Sequence, residues 1–354
     1  MAIQHEVARK QTEGRLRRIA IAKVIALALT VFLTACGSLD NNGVRSAIAQ
    51  TSSAFKVAIL LPGRIDDNSW SQAGYEGLKL IEKELGAQVA YRANIPRADE
   101  EKLFRQYASL GFDFIIGHGA QYVVSAQKVA EDFPRVKFAV TTSYGGNNKN
   151  LGALAFRSRE VGYLAGVIAA LKTKTNKVAY IGGESYPHTQ EEAILFERGV
   201  KQTHASVTPS IAWVNSWLDV DKAKQIALAQ MATGVDIIAF NADIGNSGIL
   251  KAAKQKPGLH TISWMYSVEQ LNQTQQLTSR TPLISVVQRV PMLLLEGATL
   301  AQQGRWEGKQ YKFGLLEEVQ DLALFEGFLT SQEEAYINSV KQDIRTGKIN
   351  VYLE

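Results

Sequence analysis

The chain is expected to fold as an α/β protein of two doubly wound lobes. Three observations point there. Short apolar runs alternate with helical patterns from Lys56 onward, as in parallel sheets covered by helices. One strand-and-helix unit recurs about 120 residues further on. The 354 residues also exceed what one core fills, since single cores stop growing at roughly 250–300 residues.

The first 35 residues stand apart from that body. They carry six basic side chains (Arg9, Lys10, Arg15, Arg17, Arg18, Lys23) against Glu6 and Glu13, followed by the uncharged run Val24–Leu33. A cationic region before a short apolar one is the anatomy of a secretory signal, and ten residues are too few to cross a ~30 Å hydrocarbon core. The run ends in Leu33-Thr34-Ala35-Cys36-Gly37, which resembles the bacterial lipobox, whose Cys is lipidated and becomes the new N-terminus. Residues 1–35 are therefore expected to be a lipoprotein signal and 36–54, small and polar, a tether. Four of the five formal positive charges leave with the signal, so the mature chain is nearly neutral. Nucleic acid, which needs clustered Lys and Arg, is not an expected partner.

In the body, Val57–Leu61 is a buried-strand candidate stopped by Pro62-Gly63. Tyr75, Leu78, Ile81 and Leu85 follow at helical spacing, with Gly86 where a C-cap belongs. Further strands are expected at Phe112–Ile116, Phe138–Thr141, Val178–Ile181, Ile211–Val214, Val235–Phe240 and His260–Met265. Helices are expected at Ala98–Leu110, Tyr122–Asp132, Glu191–Thr203 and Asp221–Thr233. The repeated unit is Gly111-Phe-Asp-Phe-Ile-Ile-Gly117 against Gly234-Val-Asp-Ile-Ile-Ala-Phe240, in which Asp113 and Asp236 serve the turn into the strand. Ligands of open α/β sheets sit at the carboxyl ends of the strands, so two lobes would collect those loops in one cleft.

One cysteine excludes an internal disulfide and a cysteine zinc cluster. Gly-x-Ser-x-Gly, His-Glu-x-x-His and Walker signatures do not occur in the sequence, and the adjacent Asp66-Asp67 pair does not imply acid–base work. The chain is expected not to be an enzyme and to use no cofactor or metal. The ligand signal is aromatic: Trp70 after the first strand, beside Asp67, Ser71 and Gln72, offers a flat face ringed by hydrogen-bonding groups. Alternatively it packs over the helix start. Trp217 occupies the corresponding loop of the second lobe, or is a surface aromatic near Trp213. Trp264 and Tyr266 also follow a strand. Asp243 is either an acceptor for ring N–H groups or a cap for the helix leading into Ile249. His118, between two glycines, is a ligand contact or a polar loop residue.

Over roughly residues 55–352 the sequence resembles the basic membrane protein family of ABC-transporter substrate-binding lipoproteins, best known for purine nucleoside receptors. The marks are Asp67-Asn-Ser-Trp-Ser-Gln72 with Gly77, Ala130–Pro134 leading to Lys137-Phe-Ala-Val, and Arg159-Glu-Val-Gly-Tyr-Leu-Ala-Gly166. Val178–Gly183, Val214-Asn-Ser-Trp-Leu-Asp219, Leu283-Ile-Ser-Val-Val287 and Tyr311-Lys-Phe-Gly-Leu315 follow in order. The resemblance implies a type I periplasmic-binding fold: two Rossmann-like lobes joined by three crossovers, lobe 1 being 55–156 plus 281–310 and lobe 2 being 157–280 plus 311–354. It implies a monomeric, lipid-anchored extracytoplasmic receptor with a small-molecule ligand and ABC permease and ATPase partners. Feeding a membrane sensor is the alternative. It makes Trp70 and Trp217 the ligand-stacking aromatics. Departures occur at Ser71, where the nucleoside receptors have Asn, at Thr142, where they have a base-reading Asp, and after Ile262, where a ribose-binding carboxylate is replaced by Ser-Trp-Met-Tyr. A site lacking acceptors for ribose hydroxyls punishes ribose, so a purine-like base or another planar heterocycle is favoured.

Overall fold

Two six-stranded sheets, each covered by helices on both faces, make up the body. The computed structural model describes residues 54–265, 282–324 and 328–352. The signal segment, Cys36, the tether up to residue 53 and Tyr266 lie outside the described residues.

The chain first lays down β1 (Lys56–Leu60), α1 (Trp70–Leu85), β2 (Gln88–Arg92), α2 (Glu100–Ser109), β3 (Phe114–Gly117), α3 (Val123–Asp132), β4 (Lys137–Thr141) and β5 (Leu151–Phe156). It then crosses to α4 (Ser158–Lys172), β6 (Lys177–Gly182), α5 (Pro187–Thr203), β7 (Thr208–Trp213), α6 (Val220–Ala232), β8 (Ile237–Asn241), α7 (Asn246–Ala253), β9 (His260–Met265) and β10 (Pro282–Gln288). It returns for α8 (Val290–Gln302) and β11 (Gln310–Phe313), and ends with β12 (Gln320–Leu324) and α9 (Ser331–Arg345).

The first sheet has the order β11-β5-β4-β3-β1-β2 and its pairs are parallel. The second, β12-β10-β9-β8-β6-β7, is parallel except for its β12 edge. The central strands β1 and β8 are apolar runs because both faces are covered: Val57, Ala58, Ile59 and Leu60 are solvent-free, as are Ile237, Ile238, Ala239 and Phe240. Local signals fix the ends. Gly86 closes α1 in the left-handed conformation at φ 62°, and α9 opens on a Thr330/Glu333 capping box. The two repeated aspartates tie neighbouring strand entries together: Asp113 accepts Lys56 N–H at 2.8 Å, and Asp236 accepts the Lys174 and Thr175 N–H groups at 2.6 and 3.0 Å. In the family-like Arg159–Gly166 stretch, Gly162 and Gly166 let α4 lie directly on the backbone of α5, since a Cβ on either would strike the Glu192 or Phe196 carbonyl.

The chain passes between the sheets three times, after β5, after β10 and between β11 and β12. The lobe limits expected at 281 and 311 are corrected. Pro282–Gln288 runs beside β9, matching Ile284 to Ile262 and Val286 to Trp264, and so extends the second sheet. Gln310–Phe313 runs beside β5 and closes the first. At the crossovers Arg157 holds Glu317 with two bonds of 2.5 and 2.9 Å, and buried Glu160 accepts Leu315 N–H at 2.7 Å. No helix among the described residues is long and apolar enough to cross a membrane.

Candidate ligand cleft at the two switch points

Both sheets reverse direction of winding beside their first strand, between β1 and β3 and between β6 and β8. Ligands of doubly wound sheets bind at such points, outside the carboxyl ends of the strands. In the first lobe the loops there carry Trp70 and His118; in the second they carry Tyr186 and Asp243.

Trp70 is the first residue of α1 and half-buried. Its ring stacks on His118 with centroids 4.2 Å apart and planes 8° from parallel, and its indole N–H donates to the His118 carbonyl at 3.1 Å. His118 Nε2 lies 2.9 Å from the Trp70 carbonyl, which only accepts, so Nε2 carries the proton and Nδ1 accepts from Thr141 Oγ1 at 3.1 Å. The imidazole is solvent-free, and burial pulls its pKa down to about 3. It is a neutral backing plate for the indole, rather than a polar loop residue. Gly74 makes room for it: a Cβ there would stand 2.6 Å from His118 Cδ2.

The polar groups beside Trp70 brace the loop. Asp67 accepts the Ser69 and Gln72 N–H groups with Oδ1 at 2.8 and 3.0 Å and the Ser71 N–H with Oδ2 at 3.1 Å, capping α1. Ser71 is buried and accepts Gly63 N–H at 2.9 Å. Gln72 accepts Asn68 N–H at 3.1 Å and donates to Glu76 at 3.0 Å. Thr142 is half-buried directly after β4.

In the second lobe Trp217 is half-buried and lies over Gly183, where any Cβ would enter its six-membered ring. Tyr186 stacks beside it (6.5 Å, 26°) and His188 beyond (6.1 Å, 17°). Burial lowers the His188 pKa to about 4, so this ladder is also uncharged at neutral pH. Tyr186 and His188 escape a reading based on tryptophans, yet Tyr186 follows its strand and precedes Pro187 much as Trp70 follows β1. Position alone marks it.

Asp243 does not cap its own lobe's helix. The residue before α7 is Gly245, without a side-chain cap bond, and Ala242 N–H is taken by Asn246. The Asp243 carboxylate instead crosses to the first lobe, where Ser69 Oγ and the Trp70 backbone N–H donate to it. Burial first, and then the Asp67 carboxylate, push its pKa up to about 7.

Trp264 lies inside β9, not after it, and is 1% exposed. It packs edge-on to Tyr180 at 5.9 Å and adjoins buried Glu192, which takes hydrogen bonds from Tyr180 and Asn241 and is raised by burial to about 7. It therefore belongs to the lobe interior. Trp306 is buried too, its N–H on the Asn150 carbonyl at 3.0 Å, so tryptophan clustering by itself does not mark the cleft. Among the described residues no three His, Cys, Asp or Glu side chains come together as a metal site.

Two α/β lobes joined by three crossovers, with the switch points of both sheets carrying aromatic loops, have the fold of the periplasmic-binding proteins. A solute-binding protein of an ABC transporter system from Aeropyrum pernix superposes with a TM-score of 0.70 at 20% identity, over 84% of this chain and 92% of that one. A transcriptional activator of the comK gene from Bacillus halodurans gives 0.71 at 22% identity, over 83% and 99%. Residues 54–353 match the model of the Bmp family, "ABC transporter substrate-binding protein PnrA-like", and the chain belongs to that family. Similar relatives include the nucleoside-binding protein BmpA of a Lactococcus lactis ABC transporter (26% identical, 95% of this chain and 99% of the relative) and a purine-binding protein of Brucella abortus (26%, 85% and 86%). The protein is thus the extracytoplasmic substrate-binding component of an ABC transporter. It takes a small-molecule ligand and works with a permease and an ATPase.

Proposed function

We propose that the cleft receives a small planar heterocycle, a purine base in preference to a nucleoside, between Trp70 and Trp217. The observation that carries this reading is a stacked, uncharged aromatic pair beside each switch point: Trp70 on His118 in the first lobe, and in the second Tyr186, at the switch point, against Trp217 from the loop after β7. Flat π-faces with few polar groups suit planar rings. Asp67 and Asp243 are both engaged at the start of α1, so neither is offered to ribose hydroxyls. The names of the Lactococcus and Brucella relatives support the same ligand class. The mature protein starts at lipidated Cys36 and acts as a monomer tethered to the membrane surface.

A thermal-shift panel of purine and pyrimidine bases, nucleosides, sugars and amino acids tests the reading. Purine bases are expected to raise Tm, as ligands of the native state do, and Trp70→Ala is expected to abolish the rise. A response to sugars or amino acids alone refutes it.

A further inference from the structure

We propose that Asp243 is a positioning residue of the cleft: carried by the second lobe, its carboxyl holds the Trp70 turn of the first and makes closure of the lobes proton-dependent. In its ligand-stacking consequence the proposal rests on the function just given; as a latch it does not.

The geometry is an exchange of caps between lobes. Ser69 and Trp70 form the entry of α1, where backbone N–H groups have no helical partner. Asp67 meets three N–H groups of this entry from its own lobe. The Trp70 N–H and the Ser69 hydroxyl go instead to Asp243, 174 residues from Ser69 in the chain. Asp243 holds φ 52°, a left-handed conformation uncommon outside glycine, asparagine and aspartate. Its turn is fixed from behind, because Gly245 N–H donates to the Trp217 carbonyl at 3.1 Å. One side chain therefore links the turn that carries one indole to the loop that carries the other.

Two carboxylates then share one helix end, and this gives the latch its proton dependence. The charge acting on Asp243 across the interface is Asp67. From its own lobe, α6 presents the N-cap Asp219, engaged with Lys222 N–H, and the exposed Asp221 and Lys222, while α7 carries Lys251 in its last turn. His118 behind Trp70 is neutral. With the lobes together, burial and Asp67 hold Asp243 near 7; with the lobes apart, solvent returns it to the ordinary 3.8. The closed form thus binds the proton more tightly, and closure is favoured as pH falls from about 8 towards 5. A protonated carboxyl keeps an oxygen to accept from Ser69 and Trp70 and no longer repels Asp67.

The test combines solution scattering of the ligand-free full chain with adenine titration calorimetry, each at pH 8 and pH 6. The parent is expected to become more compact at pH 6 and to bind adenine about tenfold more tightly than at pH 8. Asp243→Asn, which keeps the acceptor without the charge, is expected to be compact and tight-binding at both values; Asp243→Ala is expected to be more open at both. Glu192 titrates in the same range but inside the second lobe, so the Asp243→Asn comparison removes its contribution. Parent dimensions that do not change with pH, or an Asp243→Asn profile that parallels the parent's, overturn the proposal. A failure of adenine to bind condemns the ligand assignment alone, since the scattering arm needs no ligand.

Discussion

Replacing His118 by Gln changes how stability depends on pH. The imidazole is solvent-free, and its folded pKa of about 3 lies below the ordinary 6.5. A lowered histidine pKa means that the unfolded chain gains the proton first, so stability is full above 6.5 and is lost as pH falls from there towards 3. At pH 5 an unfolded imidazole is about 97% protonated and the folded one about 1%, which amounts to about 2 kcal/mol. At pH 8 the same group contributes nothing of this kind. Urea unfolding of parent and His118→Gln at pH 8 and pH 5 reads the effect. At pH 8 the variant is expected to be less stable by about 1–2 kcal/mol, because it loses the stack on Trp70. By pH 5 the parent is expected to have lost about 2 kcal/mol more than the variant. Parallel pH profiles refute the argument, because they mean that the ring behind Trp70 is either charged or hydrated.

Glu192 works in the opposite sense: its raised folded pKa of about 7 makes it stabilising below the ordinary 4.5, an advantage lost as pH rises through 7. In Glu192→Gln the change is expected to remove about 2.5 kcal/mol of that dependence between pH 5 and pH 8, measured by the same unfolding curves. Gly183→Ala pushes a methyl into the Trp217 ring. It is expected to cost about 1–3 kcal/mol and, where purine bases bind, to weaken them about tenfold in calorimetry while the far-UV spectrum is unchanged; unaltered affinity shows that Trp217 is not part of the stack.

The parts of the fold legible in the sequence are those set by local pattern. Val57–Leu61 and the Ile237–Phe240 part of Val235–Phe240 announce themselves as central strands because burial on both faces demands an unbroken apolar run. Gln88–Arg92 is an edge strand with exposed ends, so its composition carries no such mark. Leu151–Phe156 is hidden by its Gly and Ala content, although it sits in the middle of a sheet. Trp70 and Trp217 are readable as residues beyond strand ends, whereas Trp264 is not, because β9 runs through it. His118 is misread for a different reason. Its nitrogens are satisfied by Trp70, 48 residues away, and by Thr141, 23 residues away, and non-local partners leave no spacing to recognise. Asp243 is the extreme case, since its partner lies in the other lobe.

The late arrival of β11 has a consequence for how the molecule is made. Residues 290–313 return to the first lobe only after the second sheet's parallel strands have been synthesised, and they supply α8, whose Leu293 and Leu294 complete the core against α1, and the strand that covers β5. Until then β5 is an open edge and one face of its lobe lacks its cover, a state prone to pairing with other chains. Contacts so distant in sequence are slow to form. The nascent first lobe therefore cannot finish until residue 313 has been made, and neither lobe is contiguous in the sequence. A truncation before residue 290 leaves β5 without its parallel neighbour β11 and the first core without Leu293 and Leu294, and is expected to aggregate.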